Sequence, residues 1–162
     1  TEQQITLEQI VMRAIDAFNL CENYLVTHDL SERCICSKFA QYLDREIQCS
    51  GFTGYSTDVE YNRGCEGNEY SVKRLGRDRI IVVDLIVHKR GYDANYGFDN
   101  LICIEMKYSV KSRGFIPIWA VAKMTDNDYG FCYKIGLMIV INRQSGKLEV
   151  NKTLYNMYTE NS

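Results

Sequence analysis

Two apolar segments that contain charged residues restrict the fold of this chain more than any other feature. The segment RIIVVDLIVHK, residues 79–89, is rich in β-branched residues and apolar on both faces, which predicts a central strand covered on each side. The segment NLICIEMKY, residues 100–108, predicts a neighbouring strand that carries Glu105 and Lys107 near its end. Charged side chains are costly in such strands, so these positions are the first candidates for a functional site.

Two helices are predicted before the strands. Apolar residues recur at helical spacing from Leu7 to Phe18, which predicts a helix from about residue 7 to the mid-20s with a capping box that begins at Thr6. Ser31 can cap a second helix, whose apolar stripe extends to Ile47 and is broken by CSGFTG.

The remaining elements complete an α/β pattern. TDVEYN, residues 57–62, predicts a short strand, Pro117 suits the first turn of a third helix, and YKIGLMIVIN and KLEVNKTLY predict two strands joined by a tight turn at residues 144–146. The polar segment at residues 63–78 predicts a long loop or excursion from the core. This order predicts an α/β fold with a central mixed sheet of four or five strands flanked by helices.

Length and composition predict one domain. The 162 residues are 46% hydrophobic and 25% charged, so we expect a single domain over residues 1–162, with an N-terminal helix (1–28) added to a core at 31–142. No stretch approaches the roughly 20 apolar residues that cross a bilayer, and TEQQITLEQI lacks the pattern of a secretory signal. We therefore expect a soluble, cytoplasmic protein without a membrane partner.

The seven cysteines are odd in number, scattered and mostly set among apolar residues, which favours reduced structural thiols. Only Cys34 and Cys36 lie close together, so the spacing disfavours a zinc site.

Charge is distributed unevenly along the chain. Residues 1–50 contain four Lys/Arg and eight Asp/Glu, whereas residues 73–113 contain nine and five. The middle of the chain is therefore the candidate surface for an anion such as nucleic acid, with a solvated loop surface as the alternative. The basic residues that could line a phosphate-binding groove are Lys73, Arg74, Arg77, Arg79, Lys89, Arg90, Lys111 and Arg113.

Two carboxylates and one ammonium group are predicted to meet on adjacent strands. Asp84 has four apolar residues before it and three after it, so we expect dry surroundings. Alternation puts Glu105 and Lys107 on one face of their strand, about 7 Å apart. Two carboxylates there suggest a shared Mg²⁺ or Mn²⁺, with Lys107 orienting an attacking water and stabilising a phosphate transition state. An ordinary ion pair between Glu105 and Lys107 at the sheet end is the alternative.

These residues resemble a known signature. VDLIVHKRG, then twenty residues between Asp84 and Glu105, then IEMK, is similar to the D…ExK motif of the PD-(D/E)XK, or restriction-endonuclease-like, nuclease superfamily. SERCICSKFAQYL, VEYNRG and MTDNDYGFCYKIGLMIVIN are similar to the surroundings of that motif in small bacterial members of uncharacterised role, so the resemblance covers roughly residues 31–142.

The resemblance implies a role for each matching residue. Asp84, Glu105 and the main-chain carbonyl of Met106 would hold magnesium, Lys107 would assist the attacking water, and Glu32 on the first core helix would join the site as an auxiliary acid. Val83 replaces the proline of the motif, and Pro117 stands where relatives often carry an acid.

The expected function is therefore hydrolysis of nucleic-acid phosphodiester bonds by a metal-dependent nuclease, with DNA favoured over RNA and a homodimer as a further expectation. The alternative is a nuclease fold without turnover that binds nucleic acid or protein. Glu60 could be a ligand, although alternation with Asp58 favours a solvent-facing residue. His88 is interpreted as structural.

Overall fold

The described part of the chain begins with three helices, which are followed by strands with one further helix before the last two. A computed structural model describes residues 1–61, 63–66, 69–72, 74–75, 79–80, 82–90, 100–109, 118–126 and 131–157, with backbone alone for those between 63 and 80 and for 118–119. The helices are α1 (Glu2–Cys21), α2 (Asn23–Thr27), α3 (Glu32–Cys49) and α4 (Ile118–Thr125). The strands are β1 (Ser56–Val59), β2 (Arg63–Glu66), β3 (Glu69–Val72), β4 (Arg74–Leu75), β5 (Arg79–Ile80), β6 (Leu85–His88), β7 (Asn100–Tyr108), β8 (Ile135–Asn142) and β9 (Lys147–Tyr155).

Five strands form the central sheet, in the order β1-β6-β7-β8-β9. The β7–β8 pair is parallel and the other three pairs are antiparallel, so the sheet is mixed. The helix α4 lies between the two parallel strands in sequence and makes the crossover that parallel pairing needs. The predicted α/β class and the mixed sheet flanked by helices are confirmed, and β7 and β9 have the predicted bounds.

The long strand predicted at residues 79–89 is shorter in the structure. The strand β6 begins at Leu85, and residues 82–84 lie outside any strand. The pairing of β6 with β7 ends at Asp84 because a side chain there takes the place of a main-chain acceptor. The N–H of Met106 on β7 donates to Asp84 Oδ2 at 2.7 Å instead of to a backbone carbonyl. Asp84 therefore stands at a strand end rather than inside a strand.

Two further details differ from the sequence prediction. The segment at residues 63–78, predicted as a loop or excursion, contains the antiparallel pair of β2 with β3 and the strand β4, which pairs with β5 just beyond the segment. The first helix begins before the predicted capping box: Thr1 is the N-cap and forms the box with Gln4, whereas the Thr6 hydroxyl donates to the carbonyl of Glu2 inside the helix. The predicted cap of α3 is confirmed, since the Ser31 hydroxyl accepts the N–H of Cys34.

Helices cover both faces of the sheet. The apolar stripes of α1 and α3 pack on one face in a core that includes Phe18, Phe39 and Ile104. The helix α4 covers the other face and approaches so closely that a Cβ built on Gly136 would lie 2.3 Å from Val121 Cγ1.

The helix α1 and the strand β9 are joined by specific polar contacts as well as by packing. Asn19 donates to the carbonyl of Leu148 at 2.9 Å and accepts the N–H of the same residue at 2.7 Å. The segment predicted as an addition to the core thus contributes to the same apolar core as the sheet, and β9 extends that sheet beyond residue 142. Among the described residues, no helix combines the length and apolar character needed to cross a membrane.

Candidate functional site

The predicted acidic residues and lysine meet where β6, β7 and the first turn of α3 come together. The register pairs Leu85 with Ile104, so Asp84 stands opposite Glu105 where β6 begins. Lys107 follows on β7, and Glu32 is the first residue of α3. Three elements that are far apart in sequence therefore contribute to one cluster.

Lys107 lies at the centre of this cluster. Its Nζ is 3.1 Å from Glu32 Oε2, 3.5 Å from Glu105 Oε1 and 3.8 Å from Asp84 Oδ2. One ammonium group thus contacts three carboxylates. The structure brings together the four side chains that the sequence analysis selected, while their catalytic and metal-binding roles stay predictions.

The backbone around Met106 faces the same cluster. Its N–H donates to Asp84 Oδ2, and the N–H and C=O of one strand residue point to the same side, so its carbonyl is directed toward Asp84 as well. The Met106 side chain is fully buried in the core below. The geometry is compatible with the predicted carbonyl ligand.

Glu105 is the most unusual member of the cluster. It is 7% exposed, and its Oε2 is buried with no hydrogen-bond partner among the described residues. Burial, followed by the charge of Asp84, raises the pKa of the Glu105 carboxyl to about 7. A buried carboxylate oxygen without a donor is costly, which is typical of a group placed to bind something else.

The pKa values of Asp84 and Lys107 also depend on burial and on the opposing effects of nearby charges and hydrogen bonds. Burial raises the pKa of Asp84, although the Met106 amide and Lys107 oppose the rise. Burial alone would lower the pKa of Lys107, but the carboxylates of Asp84, Glu32 and Glu105 together raise it. Lys107 is therefore a charged ammonium group at neutral pH.

Glu32 connects the helix to the strand. Its Oε2 accepts from Lys107, and its Oε1 accepts the N–H of Tyr108 at 3.2 Å. These contacts keep the first turn of α3 against the end of β7, which is how a helical residue comes to share a site with strand residues.

A cleft of about 380 Å³ opens beside the cluster. Its lining includes Glu32, Arg33, Cys36, Glu60, Asp84 and Lys107. The sequence analysis did not assign Arg33 or Cys36 to a site. Cys36 follows Glu32 by four residues, so helical spacing on α3 could have identified it.

Cys36 is an inert member of this lining. Its thiol donates to the main-chain carbonyl of Asp84 at 3.4 Å. Burial, followed by the charges of Asp84 and Glu105, raises the pKa of Cys36 to about 12, so the thiol stays protonated. None of the six cysteines whose side chains are described forms a disulfide bond.

Glu60 does not continue the alternation of its strand. Its φ of 51° turns the chain just after β1, and its N–H donates to the carbonyl of Asp84 at 3.0 Å. This turn sends its carboxylate into the cleft, where Oε2 lies 3.0 Å from a guanidinium nitrogen of Arg33. Glu60 is exposed to solvent, as the sequence favoured, but the strand alternation that linked it to Asp58 ends at Val59.

The described basic residues of the predicted groove lie elsewhere. Arg90 pairs with Asp58, the fully buried His88 contacts the same carboxylate through Nε2 at 2.9 Å, and Lys89 lies 4.9 Å from the ring centroid of Tyr55. These residues follow the far end of β6, on the order of 13 Å or more along the chain from the carboxylates. Lys73, Arg77, Lys111 and Arg113 lie outside the described residues, and the side chains of Arg74 and Arg79 are not described.

The donor set is small for a metal site made of side chains alone. Within the described part of the chain, no group of three His, Cys, Asp or Glu side chains is arranged to hold a metal ion. The candidate ligands are therefore the two carboxylates of Asp84 and Glu105 with the Met106 carbonyl. Such a set fits Mg²⁺ or Mn²⁺, which keep several waters and use one or two carboxylates, and the free Glu105 Oε2 supports that fit.

In comparisons with known proteins, no family model, no curated protein and no solved structure matches this chain.

Proposed function

We propose that this protein is a magnesium- or manganese-dependent nuclease with a restriction-endonuclease-like fold. The observation that carries the proposal is the buried Glu105 carboxylate, whose Oε2 lacks a hydrogen-bond donor among the described residues although Asp84 and Lys107 lie beside it. A structural ion pair would satisfy its oxygens, whereas a ligand for a cation keeps one available.

The charges of the cluster support a divalent ion. With all three carboxyl groups deprotonated, Glu32, Asp84 and Glu105 would carry three negative charges against the one positive charge of Lys107, which leaves a balance of two negative charges. One divalent cation neutralises this balance. Burial is the main cause of the raised pKa of Glu105, and the charge of Asp84 adds to it; a bound cation would offset that added charge.

Each residue then has a distinct role. Asp84, Glu105 and the Met106 carbonyl hold the ion, which when bound supplies Lewis-acid stabilisation and a water of lowered pKa. The Lys107 ammonium stabilises negative charge that develops on the phosphate and orients the attacking water. Glu32 accepts from Lys107 and keeps that ammonium group at the cleft, as an auxiliary acid.

Calorimetric titration of manganese into the wild type and Glu105→Ala tests this function, together with cleavage assays on single-stranded DNA, duplex DNA and RNA. We expect metal binding and cleavage in the wild type and loss of both in the variant. Glu46→Ala removes a carboxylate from the exposed ion pair with Arg13 and serves as the control. A wild type that binds no manganese and cleaves none of the substrates would contradict the proposal.

A second candidate function is a nuclease fold without turnover that binds nucleic acid or protein. The central position of Lys107 favours it, because this ammonium group compensates the three carboxylates in part without a metal. It predicts salt-sensitive binding that needs no metal and survives Glu105→Ala. Loss of binding in that variant would count against it.

DNA as the preferred substrate, a cytoplasmic location and pairing of two copies remain parts of the proposal. For pairing, α1 presents the exposed side chains of Ile5 and Met12 on its outer surface. Sedimentation at high concentration tests it, and a monomer would be the contrary result.

A further inference from the structure

Arg33 is the exposed cation of the cleft. It is the second residue of α3, its side chain is 74% exposed, and its guanidinium contacts the carboxylate of Glu60. Lys107 and Arg33 are the two basic side chains among the described residues that line the cleft. Lys107 is already engaged by three carboxylates, so Arg33 is the cation best placed to receive an incoming anion.

The ion pair between Arg33 and Glu60 is easily replaced. Both side chains are substantially exposed, at 74% and 41%, and an ion pair between exposed side chains contributes little to stability. A guanidinium can instead form two parallel hydrogen bonds with a phosphate, which are stronger than bonds to neutral groups. An entering phosphodiester can therefore compete with the Glu60 carboxylate for Arg33.

Glu60 is held in its position by the backbone rather than by this pair. It adopts a left-handed conformation that is uncommon for a residue with a side chain, and its N–H is bonded to the carbonyl of Asp84. Backbone strain of this kind persists where the surrounding structure maintains it, often at functional sites. The backbone of Glu60 thus stays beside the cleft whether or not Arg33 contacts its carboxylate.

We propose that Arg33 is the phosphate-binding residue of this cleft, and that the Glu60 carboxylate occupies its guanidinium until a nucleic-acid phosphodiester replaces it. That the phosphodiester belongs to nucleic acid rests on the proposed function. The exchange makes Glu60 an internal competitor that weakens binding of the substrate. It also adds a phosphate contact at the start of α3, outside the basic segment predicted at 73–113.

Fluorescence anisotropy with a labelled short single-stranded oligodeoxynucleotide and its duplex, in EDTA, tests the exchange without metal or cleavage. We expect Arg33→Gln to weaken binding about tenfold at low salt. The slope of log affinity against log salt concentration should become shallower by the amount that corresponds to about one phosphate contact. Glu60→Gln should tighten binding about two- to fivefold, because it removes the competing charge. The double variant should bind no tighter than Arg33→Gln alone.

Arg13→Gln is the matched control. Arg13 lies outside the cleft lining, and the N–O distance of its ion pair with Glu46 is 3.0 Å, the same as that between Arg33 and Glu60. Arg33→Lys retains the charge without the two parallel bonds and should lie between the wild type and Arg33→Gln. Circular dichroism of each variant checks folding.

The inference is overturned if Arg33→Gln binds like Arg13→Gln, if Glu60→Gln weakens binding, or if the wild type binds neither oligonucleotide. Because the assay contains no metal, its result is separate from that of the proposed function. Cleavage by the wild type with unchanged binding in Arg33→Gln would refute this inference alone, whereas oligonucleotide binding through Arg33 without cleavage would refute the nuclease.

Discussion

Replacement of Glu105 by glutamine should make the metal-free protein more stable at alkaline pH. A solvated glutamate has a pKa of 4.5, whereas burial beside Asp84 raises the pKa of folded Glu105 to about 7. Between these values the folded state holds a proton that the unfolded state has lost, so the free energy of unfolding falls as pH rises. The contribution of Glu105 to the free energy of unfolding is therefore fully present below pH 4.5. It decreases as the pH rises and is lost above about pH 7.

The magnitude follows from the two pKa values. Their difference corresponds to about 3 kcal/mol, and screening by solvent at the cleft reduces the expected effect to about 2 kcal/mol. Glutamine has nearly the same shape, can still accept a hydrogen bond from Lys107, and carries no charge to bury. We therefore expect Glu105→Gln to match the wild type near pH 4.5 and to exceed it by about 2 kcal/mol at pH 8.

Urea unfolding of the wild type and Glu105→Gln over this pH range in EDTA measures the difference. Glu46→Gln, which changes an exposed pair with Arg13, controls for the loss of one negative charge. Magnesium at about 100 times its dissociation constant should then stabilise the wild type by about 2.7 kcal/mol and leave the variant unchanged. A variant that is less stable than the wild type at pH 8, or a difference that does not depend on pH, would refute the reasoning.

Three further variants test the catalytic role of the lysine and the packing of the fold. Lys107→Met should retain manganese binding by calorimetry but reduce the initial cleavage rate by about 10²–10³, because the ammonium that stabilises the transition state is gone; a rate near that of the wild type would contradict its role. Gly136→Ala should reduce the free energy of unfolding in urea by about 1–3 kcal/mol, since the added Cβ would meet Val121 at 2.3 Å, and unchanged stability would show that α4 can move away. Asn19→Ala should cost about 1–3 kcal/mol in the same assay, because the N–H and C=O of Leu148 lose their partner; no change would mean that α1 contributes little through this contact.

Local patterns in the sequence were sufficient for much of the fold. The alternation of apolar residues predicted β7 with its bounds, and the turn at 144–146 separates two predicted strands. Ser31 predicted the start of α3, because capping depends on the few residues that follow. The same alternation placed Glu105 and Lys107 on one face, where their side chains are neighbours. These features depend on contacts within one segment, which a sequence displays directly.

The tertiary structure decided what surrounds those residues. Asp84 leaves its predicted strand because its carboxylate bonds to a backbone amide 22 residues later. Glu60 faces the cleft because a left-handed turn interrupts the strand alternation, and Arg33 meets it across a gap of 27 positions in the chain. Register, backbone conformation and the docking of α3 set these contacts. Their energies arise from charges brought together by the folded core, so no local pattern of residues contains them.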